Sequence, residues 1–161
     1  MSSVQMFLVI GGLVLISILT INYYSISGVQ QNTKISNEAA ITGIGIGQSL
    51  LEEMARKAFD EKTINLTMNK TDSLTAAGSL GPETGETNRS LFDDLDDYNN
   101  YASYDSLGGL NKFFYKIQIY YTVKFDPEQK SNSKTFTKRA DIAIKNAFMQ
   151  DTLKLNYIFT Y

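Results

Sequence analysis

Cysteine, histidine and tryptophan are absent from the 161-residue sequence, and it contains only 2 prolines. Without Cys there is no disulfide, no thiolate nucleophile and no zinc–sulfur centre. Without His there is no imidazole base, haem ligand or His-built metal site. Two prolines and 11 glycines exclude collagen-like and Pro/Gly-rich low-complexity chains. Charge is scarce and balanced: 15 Lys+Arg against 17 Asp+Glu give a net charge of −2, which leaves no electrostatic footprint for nucleic acid. What is present is 43% hydrophobic, with 10 Tyr and 9 Phe. That suits one ordinary domain, or a small domain with an appendage. No enzyme activity and no cofactor are expected, and the function is sought in assembly or membrane attachment.

The first charged residue is Lys34. Before it lies an apolar run formed by Met6, Phe7, Leu8, Val9, Ile10, Leu13, Val14, Leu15, Ile16, Ile18, Leu19 and Ile21. Extended to Val4 and Tyr24, it covers about 20 residues, enough to cross a hydrocarbon core of roughly 30 Å as a helix. Tyr23 and Tyr24 stand where an interfacial aromatic anchor would stand. A cleaved secretory signal fits less well, because no Lys or Arg precedes the core and no A-x-A end follows it. A membrane anchor and a helix that later packs inside a filament both remain open.

Helical spacing continues beyond Gly28. Ala40, Ile44, Gly47, Leu51, Ala55 and Ala58 recur at steps of three or four, broadened by Leu50, Met54 and Phe59. This stripe is the expected helix–sheet contact, with Ala40, Ile44, Leu51, Ala55 and Phe59 as packing residues. Glu52, Glu53, Arg56, Lys57, Asp60 and Glu61 form the expected solvated face, with Glu53 and Lys57 as an i,i+4 pair. One helix of about 55–60 residues would run roughly 85–90 Å, so its first half is expected to protrude. Gly43-Ile-Gly45-Ile-Gly47 is not a dinucleotide fingerprint, since Gln48 breaks the spacing and no strand precedes it. It reads as close packing of a helix against a sheet.

Residues 62–111 are rich in Thr, Asn, Ser, Gly and Asp and are expected to form a surface loop. Within them, Phe92-Asp93-Asp94-Leu95-Asp96-Asp97-Tyr98 concentrates carboxylates. Asp93, Asp94, Asp96 and Asp97 are weak candidates for a hard cation, but the EF-hand spacing is missing, so no metal is assigned. The plain reading is an exposed acidic loop whose carboxylates take helix-capping or turn roles, with Phe92, Leu95 and Tyr98 packed inward. From Lys112 the chain alternates: Tyr115, Ile117, Ile119, Tyr121, Val123 and Phe125 share one strand face. A polar hairpin loop starts at Asp126. Ala140, Ile142 and Ile144 lead inward on a second strand, and Leu153, Leu155, Tyr157 and Phe159 on a third. The expected fold is α+β: a long N-terminal helix packed by its second half on a small C-terminal antiparallel sheet. Its parts are an apolar helix over 1–28, an amphipathic continuation over 29–61, the loop over 62–111, and a three-stranded antiparallel sheet over 112–161.

This order resembles type IV pilins and type II secretion pseudopilins. Gln48-Ser-Leu-Leu-Glu-Glu-Met-Ala-Arg-Lys-Ala-Phe59 is similar to the post-membrane helix of minor pilins, and Phe92–Tyr98 resembles the F-D-D-x-D-D-Y stretch of minor pilins of the mannose-sensitive haemagglutinin type. Asp141–Ile144 and Thr152–Phe159 resemble the last strands of that group. The family carries a basic leader and a Glu at the fifth mature position, which meets a neighbour's N-terminal amine during assembly. With Met1 counted as the first mature residue, Gln5 holds that assembly position, without a charge and without the desolvation cost that a buried charge brings.

The resemblance implies a subunit held in the cytoplasmic membrane, extracted by a pilus or secretion assembly machinery, and built into an extracellular homo-oligomeric helical filament. Adhesion, motility and secretion would all use that plan. The alternatives are a minor pseudopilin-like subunit of a secretion system, and a bitopic membrane-anchored protein with a small extracytoplasmic domain.

Overall fold

The structure, a computed structural model, describes residues 2–107 and 109–161. The chain forms two units, Met1–Glu38 and Ala39–Tyr161. Helix α1 is Ser3–Met54, with no break at Gly28. Five strands follow: β1 Ala102–Ser106, β2 Lys112–Val123, β3 Asp126–Lys130, β4 Thr137–Lys145 and β5 Leu153–Thr160. The protein is α+β, with a C-terminal five-stranded antiparallel sheet.

Within the first unit, a capping box starts α1. The Ser2 amide donates to Gln5 Oε1 at 3.1 Å, and the Gln5 amide donates to Ser2 Oγ at 3.4 Å. Further along, polar side chains return to their own helix. Ser17 and Thr20 donate to carbonyls four residues back at 2.8 Å, and Asn22 and Thr33 do the same at 3.0 Å.

In the second unit the strand order is β1-β2-β4-β5, with β3 paired to the end of β2. Period-2 alternation aligns the inward residues across the register: Ile117 faces Ile142, which faces Leu155, and Tyr115 faces Ile144, which faces Leu153. Phe113, Tyr115, Ile117, Ile119 and Tyr121 are buried on β2, and Ala140, Ile142 and Ile144 on β4. The core closes with Ala39, Ile46, Leu50 and Met54 of α1 and with Phe92, Leu95 and Tyr98.

Several expectations are corrected. The sheet has five strands, because Ala102–Ser106 and Asp126–Lys130 pair with β2. The span 62–111 therefore holds a strand, and four short 3-10 turns precede that strand. The buried stripe of α1 is Ala39, Gly43, Ile46, Gly47, Leu50 and Met54, rotated from the expected row. Ile44 and Ala55 are exposed, Ala40 and Leu51 are half-buried, and Phe59 is buried beyond the helix. Gly43 and Gly47 cause the rotation. A Cβ on Gly47 would meet Leu155 Cδ1 at 2.1 Å and Ile144 Cδ1 at 3.1 Å, so the side bearing no side chains faces the sheet. The alternation fails at the end of β2, where Thr122 is buried, and Phe125, expected on the same face, lies beyond the strand and is 89% exposed; the register there shifts between Thr122 and Val123.

The helix also stops short of Glu61. After Met54 the bonding tightens, with the Arg56 amide donating to Glu53 O at 3.1 Å and the Lys57 amide to Met54 O at 3.1 Å. Residues 57–60 then attach elsewhere. The Ala58 amide donates to Asp93 O and the Leu95 amide to Ala58 O, both at 3.0 Å, and Lys57 Nζ donates to Phe92 O.

Candidate functional site

That attachment carries Asp60 out of the expected solvated face into full burial. Its carboxylate accepts from the Thr75 amide at 3.1 Å, Thr75 Oγ1 at 2.9 Å and the Lys62 amide at 3.2 Å. The Tyr121 hydroxyl lies 2.9 Å from Asp60 Oδ2 and also 2.9 Å from Thr75 O. Lys138 of β4 completes the group. Its Nζ donates to Asp60 Oδ2 at 2.9 Å, to Asp96 Oδ1 at 2.6 Å and to Phe59 O at 2.7 Å. It also stands 4.6 Å from the centre of the Phe59 ring and 5.1 Å from that of Tyr121. Lys138, Asp60 and Asp96 all have 0% exposure.

The acidic segment is folded inward, contrary to the expected exposed loop. Asp94, Asp96 and Asp97 are fully buried, and Asp93 is exposed. The reason is local bonding between carboxylates and amides. Asp94 Oδ1 accepts from the amides of Asp96 at 2.6 Å and Asp97 at 3.2 Å. Asp97 Oδ2 accepts from the amides of Asp93 at 2.9 Å and Asp94 at 3.1 Å. Phe92, Leu95 and Tyr98 are buried, anchoring the segment as their spacing suggests. Three oxygens are left over: Asp94 Oδ2, Asp96 Oδ2 and Asp97 Oδ1 find no hydrogen-bond partner among the described residues.

The electrostatics follow from this imbalance. Burial pushes Asp94 up to about 8, helped by the charges of Asp96 and Asp97. Burial also raises Asp96 to about 6, although Lys138 pulls it down. Asp97 rises to about 6 through burial, partly opposed by its backbone donors and reinforced by Glu86. Asp60 goes the other way. Burial alone would raise it, but the Lys138 charge and the bonds from Lys138 and Thr75 hold it below the ordinary carboxylate range.

A second ion pair ties the helix end to the same loop. Arg89 Nε donates to Glu53 Oε1 at 2.9 Å, and Arg89 Nη2 pairs with Glu53 Oε2. The Tyr98 hydroxyl donates to Glu53 Oε1 at 2.7 Å, and Arg89 Nη1 reaches the Tyr115 hydroxyl at 3.2 Å. Glu53 therefore bonds to Arg89 and Tyr98 in place of its expected partner Lys57. The Arg89 bond is the main cause that lowers its carboxyl below the usual range. Sequence reasoning missed Lys138 and Asp60 as a pair. The signal for Lys138 was present, since it shares the even-numbered inward face of Ala140, Ile142 and Ile144.

In the first unit, the residues from Met6 to Ile21 named as the apolar row are each 48% to 72% exposed. A methyl group added at Gly11 or Gly12 would meet nothing within 4 Å. Gln5 is engaged with Ser2 of its own chain; Met1, counted as the first mature residue, lies outside the described residues.

Comparison of the chain with protein-family models, curated proteins and solved structures finds no match. The long apolar N-terminal helix and small antiparallel sheet are compatible with a pilin-like fold, and α1 is long and apolar enough to cross a membrane.

Proposed function

We propose that the chain is a pilin-like structural subunit that is held in a membrane by the first part of α1 and polymerises through it into a helical extracellular filament. One observation carries this reading: the membrane-length apolar stretch of α1 is 0% buried. Such a surface needs lipid or other helices around it. Ser17, Thr20 and Asn22 support it, because each donates a side-chain hydrogen bond to its own helix, which lowers the cost of taking these groups out of water. Gly11 and Gly12 leave room for a neighbouring helix to approach. Before assembly the subunit sits in the cytoplasmic membrane, and an assembly machinery extracts it. Subunits related by rotation and rise then make non-closing contacts, which extend into fibres. The role is structural and not catalytic.

A second reading is a bitopic anchored protein that does not polymerise. The Ser2–Gln5 capping box favours it, because Gln5 spends its acceptor inside its own chain. Electron microscopy of material sheared from cells separates the two. Regular thin fibres with Met6–Ile21 helices bundled at the axis support the first. Monomers in detergent, with no fibre at any subunit concentration, sink it and leave the second.

A further inference from the structure

The buried oxygens left without donors point to a site outside the α1 argument. Glu83, Glu86 and Asp97 converge from two separate stretches of the loop, one carboxylate oxygen of each lying within 4.8 Å of the other two. A turn fixes the first two: the Glu83 amide donates to Glu86 Oε2 at 3.0 Å, and the Glu86 amide to Glu83 O at 3.2 Å. Asp97 is fully buried, with Oδ2 taken by two amides and Oδ1 facing no donor among the described residues. None of the three carboxylates forms an ion pair with Lys or Arg among those residues. Three ionised carboxylates held this close repel one another, a repulsion relieved by a shared proton or by a cation between them, and the fully buried ammonium of Lys138 is spent on Asp60 and Asp96.

We propose that Glu83, Glu86 and Asp97 bind one Ca²⁺. The donor set is three hard carboxylates. Oxygens on one Ca²⁺ lie about 2.3–2.6 Å from the ion and so up to about 5 Å from each other, which the observed separation satisfies without closing the loop. Mg²⁺ needs a tighter octahedron at about 2.0–2.1 Å and keeps more of its water. Asp97 supplies the buried ligand. Glu83 is exposed and Glu86 half-buried, which leaves positions open to water. The ion ties the 83–86 turn to the segment carrying Asp96, so binding and loop folding are coupled. The site stands whether or not the chain forms filaments.

The test is calcium titration of the full chain in detergent micelles, by calorimetry and by thermal melting in CaCl₂ against chelator. The expected result is one Ca²⁺ per chain and a midpoint raised by about 5 °C or more at hundredfold excess over Kd. Glu83→Gln and Glu86→Gln each weaken binding at least about tenfold, while Glu52→Gln leaves it unchanged. Both Gln variants lie outside the core, and in chelator they melt at or above the unsubstituted protein because a repulsion has gone. Absence of saturable binding up to about 10 mM Ca²⁺ overturns the proposal. So does equal affinity in the Glu83→Gln/Glu86→Gln double variant, or Mg²⁺ binding as tightly as Ca²⁺.

Discussion

Lys138→Met removes the cation on which Asp60 and Asp96 depend while leaving a side chain of similar reach. Three donated bonds disappear, those to Phe59 O, Asp60 Oδ2 and Asp96 Oδ1 at 2.7, 2.9 and 2.6 Å. Two fully buried carboxylates then lose their counter-charge, Asp60 keeping its donors from Thr75, Lys62 and Tyr121. Removing one partner of a buried ion pair costs about 3–5 kcal/mol, a large share of a typical total of about 5–15 kcal/mol. At about 2.1 cal/mol/K of unfolding entropy per residue, a unit the size of Ala39–Tyr161 loses about 4 °C of Tm per kcal/mol. The variant should therefore melt about 12–20 °C lower. Denaturant titration and near-ultraviolet dichroism of the buried tyrosines, on the full chain in micelles, read this directly. A loss below about 1 kcal/mol would refute the argument, because the carboxylates would then not depend on the cation.

The same variant reverses a pH dependence. In the native protein Asp60 titrates below its unfolded value, so its contribution is present above the ordinary carboxylate range and is lost as pH falls through the folded value. Without Lys138, burial and the charge of Asp96 are opposed only by the remaining donors such as Thr75, and the folded pKa of Asp60 is expected to rise above the unfolded one. A raised carboxylate stabilises at low pH and loses that contribution as pH rises. The deficit of Lys138→Met should thus be smaller at pH 5 than at pH 8. The triple variant Lys138→Met/Asp60→Asn/Asp96→Asn should recover much of the loss, since no charge remains stranded. A triple variant as weak as the single one would assign the loss to packing.

Glu53→Gln should cost about 1–2 kcal/mol at pH 7 by weakening the bonds from Arg89 and Tyr98. Because Glu53 titrates below its usual value, the gap in Tm between the two proteins should close as pH falls through the folded value; a gap that persists at pH 2 would count against the ion pair. Gly45→Ala has open space and should raise stability by about 0.5–1 kcal/mol. Gly47→Ala, driven into Leu155 and Ile144, should lower it by about 1 kcal/mol, and equal effects from the two would show that the sheet does not approach α1 closely. Leu13→Arg places a charge in the apolar run, at about 3 kcal/mol on an insertion scale. It should move the chain out of the membrane and fibre fractions while leaving the strand signal of the sheet unit unchanged, and normal fractionation would argue against the proposed role of α1.

The α+β order was legible because both periods are strong: three-to-four spacing before Met54 and alternation in β2 and β4. The glycines were read as a close helix–sheet packing point, but the face of α1 was misjudged because the row was drawn through Ala40, Ile44, Leu51 and Ala55 and only Gly47 of the glycines was set in it. Close approach selects for missing side chains, so Gly43 and Gly47 mark the contact better than Ile44 does. Strands β1 and β3 escaped because Ala102–Ser106 and Asp126–Lys130 are short, polar and at most half-buried, and pairing with β2 makes them strands. The acidic segment was placed outside because charge normally means solvent. Its burial depends on Lys138, 42 residues beyond Asp96, and on Asx-type bonds to neighbouring amides, neither of which leaves a periodic trace.

The two units solve the polar-group problem in opposite ways. The sheet unit buries charges and meets most of their oxygens with Lys138, Thr75, Tyr121 and backbone amides. The first part of α1 carries no charged side chain before Lys34 and turns Ser17, Thr20 and Asn22 onto its own carbonyls. Its apolar side chains are nonetheless exposed along the whole run. Covering a Val, Leu, Ile or Phe side chain is worth about 1.5–3 kcal/mol, so the row from Met6 to Ile21 withholds on the order of 10–30 kcal/mol while it faces water. That exceeds what a small domain holds in total stability. Water is therefore the wrong medium for this stretch. Lipid removes the apolar surface from water, and copies of the same helix do so while adding van der Waals packing, which lipid chains match poorly. A helix suited to both media can pass from one to the other without exposing its apolar row, and this is the physical condition that subunit-by-subunit growth from a membrane imposes.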